Sequence, residues 1–258
     1  MAECFEAKRG FHFMVGFAEV PVRIVHLFGN RHCWRWLAVL LALSLAAAAQ
    51  QGGSLESVLT RMDQTAANFK TTQADFVWDQ YQKVVDETDT QKGTIYFRRQ
   101  GSADVQMAAD ITAPDKKYVL FSDSKVQVYQ PSIERVTVYN AGKNKADFES
   151  FLVLGFGGRG HDLQKSFVVR YAGKENAQGI NADKLELVPK SAKAKNMFAR
   201  ILLWIDPARG VSVQQQFFES SGDYRLAKYS NIQLNSKISD TVFKLKTTGK
   251  TETVIANQ

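Results

Sequence analysis

Apolar side chains recur at three- and four-residue steps at Leu55, Val58, Leu59, Met62, Ala66 and Phe69, while Glu56, Arg61, Asp63 and Gln64 fill the other side. That is the stripe of an amphipathic helix. Ser54 stands in the N-cap position, and Glu56 falls in the first turn, where a carboxylate meets the positive end of the helix. A helix with one apolar stripe needs a sheet to cover.

After Lys70 the period changes to two, in short runs separated by turn residues, the pattern of antiparallel strands with one buried face. Ala74, Phe76 and Trp78 share a face of the first run, Ile95, Phe97 and Arg99 a face of the second, and Ala103, Val105 and Met107 continue the series. Further runs fall at 118–121, 126–129 and 133–139, with turn chemistry at Ser122-Asp123-Ser124 and Gln130-Pro131-Ser132. The pattern resumes at 167–171, 184–188, 198–205, 211–218, 224–229 and 232–234, with hairpin turns at 206–210 and 220–223. The expectation is a mainly β protein with a few helices, its sheet of about eleven strands connected most simply as a meander. One helix cannot cover so wide a sheet, so the sheet must curl around something.

The alternation breaks between Lys143 and Lys165. There Phe148, Phe151, Leu152, Leu154 and Phe156 form an apolar cluster that ends in Gly155-Phe156-Gly157-Gly158-Arg159-Gly160. A short helix with a glycine-rich exit fits these residues, and a hinge of that kind would let the helix open and close.

Ahead of the first helix, Arg31 and Arg35 precede an apolar run at 37–45 and the small side chains of 46–49. This predicts a secretory signal cleaved near Ala49, its apolar run being shorter than the ~20 residues that span a bilayer. The domain reading is therefore a leader over 1–49, with a start site assigned too early, and a single domain over 50–258. Both cysteines, Cys4 and Cys33, lie in that leader, so the exported product is expected to be soluble and to carry neither a disulfide nor a thiolate site. With five basic and three acidic leader residues removed, 28 basic residues face 23 acidic ones. This is solubility charge, spread along the chain without the blocks that mark a nucleic-acid surface.

Catalytic chemistry is thin. His161 is the one histidine after the leader, placed beside Asp162 in the glycine-rich loop with no nucleophile motif nearby, and it reads as a solvated loop residue. The glycine run lacks the Gly-Lys-Ser/Thr ending of a phosphate loop. Asp86, Glu87 and Asp89 read as a charged hairpin tip. No catalytic residue, metal ligand or cofactor is expected.

Arg99 is different, because alternation puts its guanidinium on the face of Ile95 and Phe97. Either it ends the strand and reaches solvent, helped by Arg98 and Gly101, or it projects into the hollow, where its donors would hold the backbone carbonyls of a lid.

Three stretches, taken in order, resemble the outer-membrane lipoprotein carrier (LolA-type) family. They are Gly93-Thr94-Ile95-Tyr96-Phe97-Arg98-Arg99, the segment from Val119 through Ser122-Asp123-Ser124 to Tyr129-Gln130-Pro131, and Asp240-Thr241-Val242-Phe243-Lys244-Leu245. The resemblance covers roughly 54–248; Gln100 stands where the family has proline, and Ser124 where it has glycine. It implies an unclosed antiparallel half-barrel with helices covering its concave face, and a monomeric periplasmic carrier rather than an enzyme. Its partners would be acylated lipoproteins or lipids, an inner-membrane releasing transporter and an outer-membrane acceptor, with no nucleic acid. The acyl-chain cavity would be lined by Phe76, Trp78, Ile95, Phe97 and Met107, the lid would carry Phe148, Phe151, Leu152 and Leu154, and Arg99 would tether the lid. The alternative implied by the same fold is a periplasmic regulator that senses lipid or lipoprotein.

Overall fold

The computed structural model describes residues 55–100, 104–140 and 154–256. The first helix, α1, covers 55–67. Six strands follow: β1 (Thr71–Gln82), β2 (Glu87–Gln100), β3 (Asp104–Ala113), β4 (Lys117–Ser122), β5 (Lys125–Gln130) and β6 (Arg135–Asn140). A short helix, α2 (Gly160–Ser166), leads into β7 (Phe167–Ala177) and β8 (Ile180–Pro189). A second short helix, α3 (Ala192–Met197), precedes β9 (Arg200–Ile205), β10 (Ser212–Phe218) and β11 (Tyr224–Leu234), and the edge strand β12 (Glu252–Ile255) comes last.

The twelve strands make one sheet in the order β12-β6-β5-β4-β3-β2-β1-β11-β10-β9-β8-β7. It is therefore two meanders, β1 to β6 and β7 to β11, joined where β1 pairs antiparallel with β11. Its ends do not meet, so the sheet is an open half-barrel rather than a closed one.

The twelve runs read from alternation become eleven strands, β1 to β11, with one adjustment. Those at 224–229 and 232–234 belong to a single strand, β11, whose Asn231 has φ +51°. The additional strand is β12, paired parallel with β6 through Glu252↔Arg135 to Ile255↔Val138. All four of its residues are exposed, so no burial alternation marks it. The β4–β5 turn takes positive φ at both Asp123 and Ser124, the geometry of a type I′ hairpin that asparagine-like and small polar residues tolerate.

Two clusters fill the concave face. In the first, Val58, Leu59 and Met62 of α1 pack with Leu185 and Leu187 of β8 and Ile201, Leu203 and Ile205 of β9. In the second, Phe69, just past α1, and Phe156 lie over Ala74, Phe76, Phe97, Met107, Ala109 and Phe121 of β1 to β4. The helical stripe expected from sequence is thus the buried one. On the convex face the chain after β11 folds back, and Phe243 packs on Ala108 and Leu120. The Asp240-Thr241-Val242-Phe243 stretch is a 3-10 turn there rather than a strand.

Candidate functional site

The concave wall of β1 to β5 is apolar by strict alternation. Phe76, Phe97 and Met107 are buried, while Trp78, Ile95, Val105, Val119 and Val126 on the same face are only partly covered. The apolar surface therefore continues past what Phe69 and Phe156 shield. All five cavity residues expected from sequence stand on this face.

The cover over the wall is the glycine-rich loop from Leu154 onward. Phe148, Phe151 and Leu152 lie outside the described residues. Leu154 is buried with α1, Leu163 and Phe167 in the other cluster, against the β7 to β9 half of the concavity. Phe156 supplies the contact with the N-terminal half: its ring stacks on Phe97 at 5.3 Å between centroids and meets Tyr229 edge-on at 4.7 Å. Only 1% of Phe156 is exposed, so the glycine-rich segment enters the hollow as an aromatic plug. Burial pushes the Tyr229 phenol far above its ordinary pKa, which keeps it neutral in this wall.

Three backbone carbonyls hold the plug. Gln215 Nε2 donates to Leu154 O, Ser212 N donates to Gly155 O at 2.8 Å, and Arg99 Nη2 donates to Gly157 O at 2.8 Å. The first two donors sit on β10, in the C-terminal meander; the third sits on β2, across the hollow. The Arg99 guanidinium also lies 5.5 Å over the Phe69 ring, within cation–π range. Gly157 has φ +79°, and a Cβ there would run into that ring, so only glycine fits between Phe69 and the guanidinium. Of the two sequence readings of Arg99, the geometry has the hollow-facing one.

Arg98 points the opposite way. It pairs with Asp240, donates to Gln106 Oε1 at 2.7 Å from Nη2 and lies 4.2 Å over the Phe243 ring, tying the C-terminal turn to the convex face. No sequence signal joins it to a residue 142 positions away.

His161 corrects the reading of a solvated loop residue. Its Nδ1 lies 2.5 Å from Asp63 Oδ2, its Nε2 3.0 Å from Glu56 Oε1, and its backbone N–H donates to Asp63 Oδ1 at 3.3 Å. Glu56 and Asp63 are seven positions apart on α1, so both face the same way and grip the ring from either side. The hydrogen bond with Asp63, reinforced by Glu56, raises the His161 pKa above its ordinary 6.5. Burial opposes the Asp63 charge, but the bonds and charge of His161 prevail and hold its carboxyl below the usual value. Gly160 makes the approach possible, since a Cβ there would overlap the Leu59 carbonyl. The plug is thus fastened at Arg99 on one side and to α1 on the other.

The site is thus an open half-barrel whose apolar concavity is plugged by Phe156. Residues 67–246 match the family "Outer membrane lipoprotein carrier protein LolA", and the chain belongs to that family. No curated protein matches the sequence. Among solved structures, it is similar to an uncharacterised conserved protein from Thermus thermophilus, with 11% identity, a TM-score of 0.50, and coverage of 78% of this chain and 98% of that one. A putative outer membrane lipoprotein-sorting protein domain from Vibrio parahaemolyticus matches at 11% identity and TM-score 0.41, covering 73% of this chain and 97% of that one. The MucA/MucB complex structure from Pseudomonas aeruginosa matches at 13% identity and TM-score 0.45, covering 75% of this chain and 61% of that one.

Proposed function

We propose that this protein is a periplasmic carrier that binds the acyl chains of lipoproteins, or a related lipid, in the concavity and delivers them toward the outer membrane. The observation that carries this reading is the Phe156 plug on an apolar wall that extends beyond it to Trp78, Ile95, Val105, Val119 and Val126. Acyl chains suit such a wall because each buried CH2 contributes about 0.8 kcal/mol without needing a directional partner.

Displacing the plug would trade one set of apolar contacts for another, so uptake and release stay near balance. Breaking the Arg99–Gly157 hydrogen bond removes the polar tie between the plug and β2 and leaves only ring contacts there, while the two β10 bonds and the His161 clamp on α1 still hold the segment. Phe156 would then lift from the wall with β10 and α1 as its pivots. The family's partners, an inner-membrane releasing transporter and an outer-membrane acceptor, fit this cycle of loading and handover.

Titration with a fluorescent fatty acid, followed by competition with a triacylated peptide, tests the reading. Saturable binding and displacement are expected. A folded protein that binds neither would overturn it.

A further inference from the structure

The sheet order brings three hairpin ends together at one rim. β2, β1, β11, β10, β9 and β8 are consecutive neighbours, so the β1–β2, β10–β11 and β8–β9 connections emerge side by side. Direct contacts bear out the grouping. Lys83 N donates to Asp223 Oδ1 at 2.9 Å, Ser220 Oγ donates to Lys195 O at 3.4 Å, and Ala199 N donates to Phe218 O at 2.8 Å.

This rim has an unusual composition. The β1–β2 tip exposes Val84 at 93% and Val85 at 55%, and α3 exposes Met197 at 44%. Val84 is the most exposed of the large apolar side chains among the described residues. Between them stand exposed Lys83, Lys193 and Lys195. The chain from Leu187 to Ile205 holds four basic residues, Lys190, Lys193, Lys195 and Arg200, and no acidic one. Acidic groups stand at the rim as well, most of them engaged locally: Asp86 accepts from the Tyr81 hydroxyl at 3.0 Å, Asp89 from Gln82 Nε2 at 3.4 Å, Asp223 from Lys83 N, and Glu219 pairs with Arg225 at 2.8 Å, while Glu87 is exposed. A tier of aromatic rings lies immediately behind, with Tyr81 stacked on Tyr224 at 4.9 Å and Phe218 at 6.2 Å from Tyr224.

We infer that this rim, formed by the 83–86 tip, the 219–223 turn and α3, docks on an anionic lipid bilayer. Apolar tips that enter the acyl boundary, lysines at headgroup level and amphipathic rings behind them are the layers that an interfacial surface requires. The occupant is a bilayer and not a protein groove, because the apolar residues sit at protruding turn ends, with Lys83 beside Val84 and Lys193 and Lys195 beside Met197. The inference is independent of what fills the concavity: it concerns where the protein stands, not what it carries.

Flotation with vesicles of phosphatidylglycerol and phosphatidylethanolamine in equal parts, against phosphatidylcholine alone, tests it. Wild type is expected to float with the anionic vesicles and to lose this at high salt. The Lys193→Gln, Lys195→Gln double variant should bind more weakly by about fivefold per lysine, and Val84→Asp with Val85→Asp should abolish flotation. Fatty-acid binding in the concavity should persist in both, which separates failure of docking from failure of the carrier reading. The Val84→Trp variant adds a local readout, an indole emission that shifts to the blue on anionic vesicles. Flotation unchanged by the aspartate substitutions, no flotation of wild type, or an indole emission that does not shift would overturn the inference.

Discussion

Arg99 and Gly157 meet through one hydrogen bond of 2.8 Å, guanidinium to backbone carbonyl, between residues 58 positions apart. It is the single described bond that ties the plug carbonyls to the N-terminal meander, the other two coming from β10. That asymmetry sets the first expectation.

Arg99→Leu should leave the fold standing and change the exchange of ligand. A charge-assisted hydrogen bond contributes about 1.5–3 kcal/mol when buried, and half-burial of Arg99 puts its share nearer about 1 kcal/mol. Thermal scans should show a fall of roughly 2–4 °C, while the on- and off-rates of a fluorescent fatty acid rise severalfold. Arg99→Lys should not restore them, because the planar fork is lost. Rates equal to wild type in the leucine variant would remove Arg99 from the mechanism.

Arg98→Leu should do the reverse. This side chain anchors Asp240 and Phe243 on the convex face, so its loss should expose Lys244 and Lys246 to trypsin and lower the melting temperature. Fatty-acid binding in the concavity should not change. A shift in binding with the C-terminal segment still protected would contradict the face assignment.

Phe156→Ala removes a ring stacked on Phe97 and edge-on to Tyr229. A large-to-small change at such a site costs about 3–5 kcal/mol, which calorimetry would read as a drop on the order of 10 °C. Added fatty acid should recover much of that loss by filling the vacated space, and a variant that ligand does not stabilise would argue against the plug.

His161→Gln tests the clamp on α1 through pH. The folded imidazole sits above its ordinary 6.5, so its contribution is complete below 6.5 and is lost as pH rises through the raised value. Asp63 sits below its ordinary 3.8, so its contribution is complete above 3.8 and is lost as pH falls through the lowered value. The clamp is therefore strongest between those ordinary values. The gap in melting temperature between wild type and variant should be widest between pH 3.8 and 6.5 and should narrow as pH rises through the raised imidazole value. A gap that stays constant would mean that the ring acts by packing alone.

The elements that sequence makes legible share one property: they announce their burial locally. The α1 stripe, the faces of β1 to β5 and the side on which Arg99 falls all follow from periods of 3.6 and 2. What sequence hides depends on partners far along the chain or on edges without burial. His161 meets Asp63 across 98 positions, Arg98 meets Asp240 across 142, and β12 pairs through its backbone with every side chain exposed. Seven-residue spacing of Glu56 and Asp63 is a readable sign of a shared acidic face, but nothing local points from that face to His161. Composition groups Leu154 with Phe156, yet the two belong to opposite halves of the core, because the chain crosses the hollow between them.

The pairing of β1 with β11 has a consequence for how the chain folds. Each meander can zip from its own tight turns, but Thr72 must find Leu234 across 162 residues, and closing so long a loop is the entropically costly, slow kind of step. The wall carrying Trp78 and Ile95 and the wall carrying Gln215 face each other only after that seam forms. The two-walled concavity therefore depends on the longest-range strand pairing along the sheet, and a chain halted before Tyr224 carries the β1 to β5 wall without the partner strand that closes it against β10.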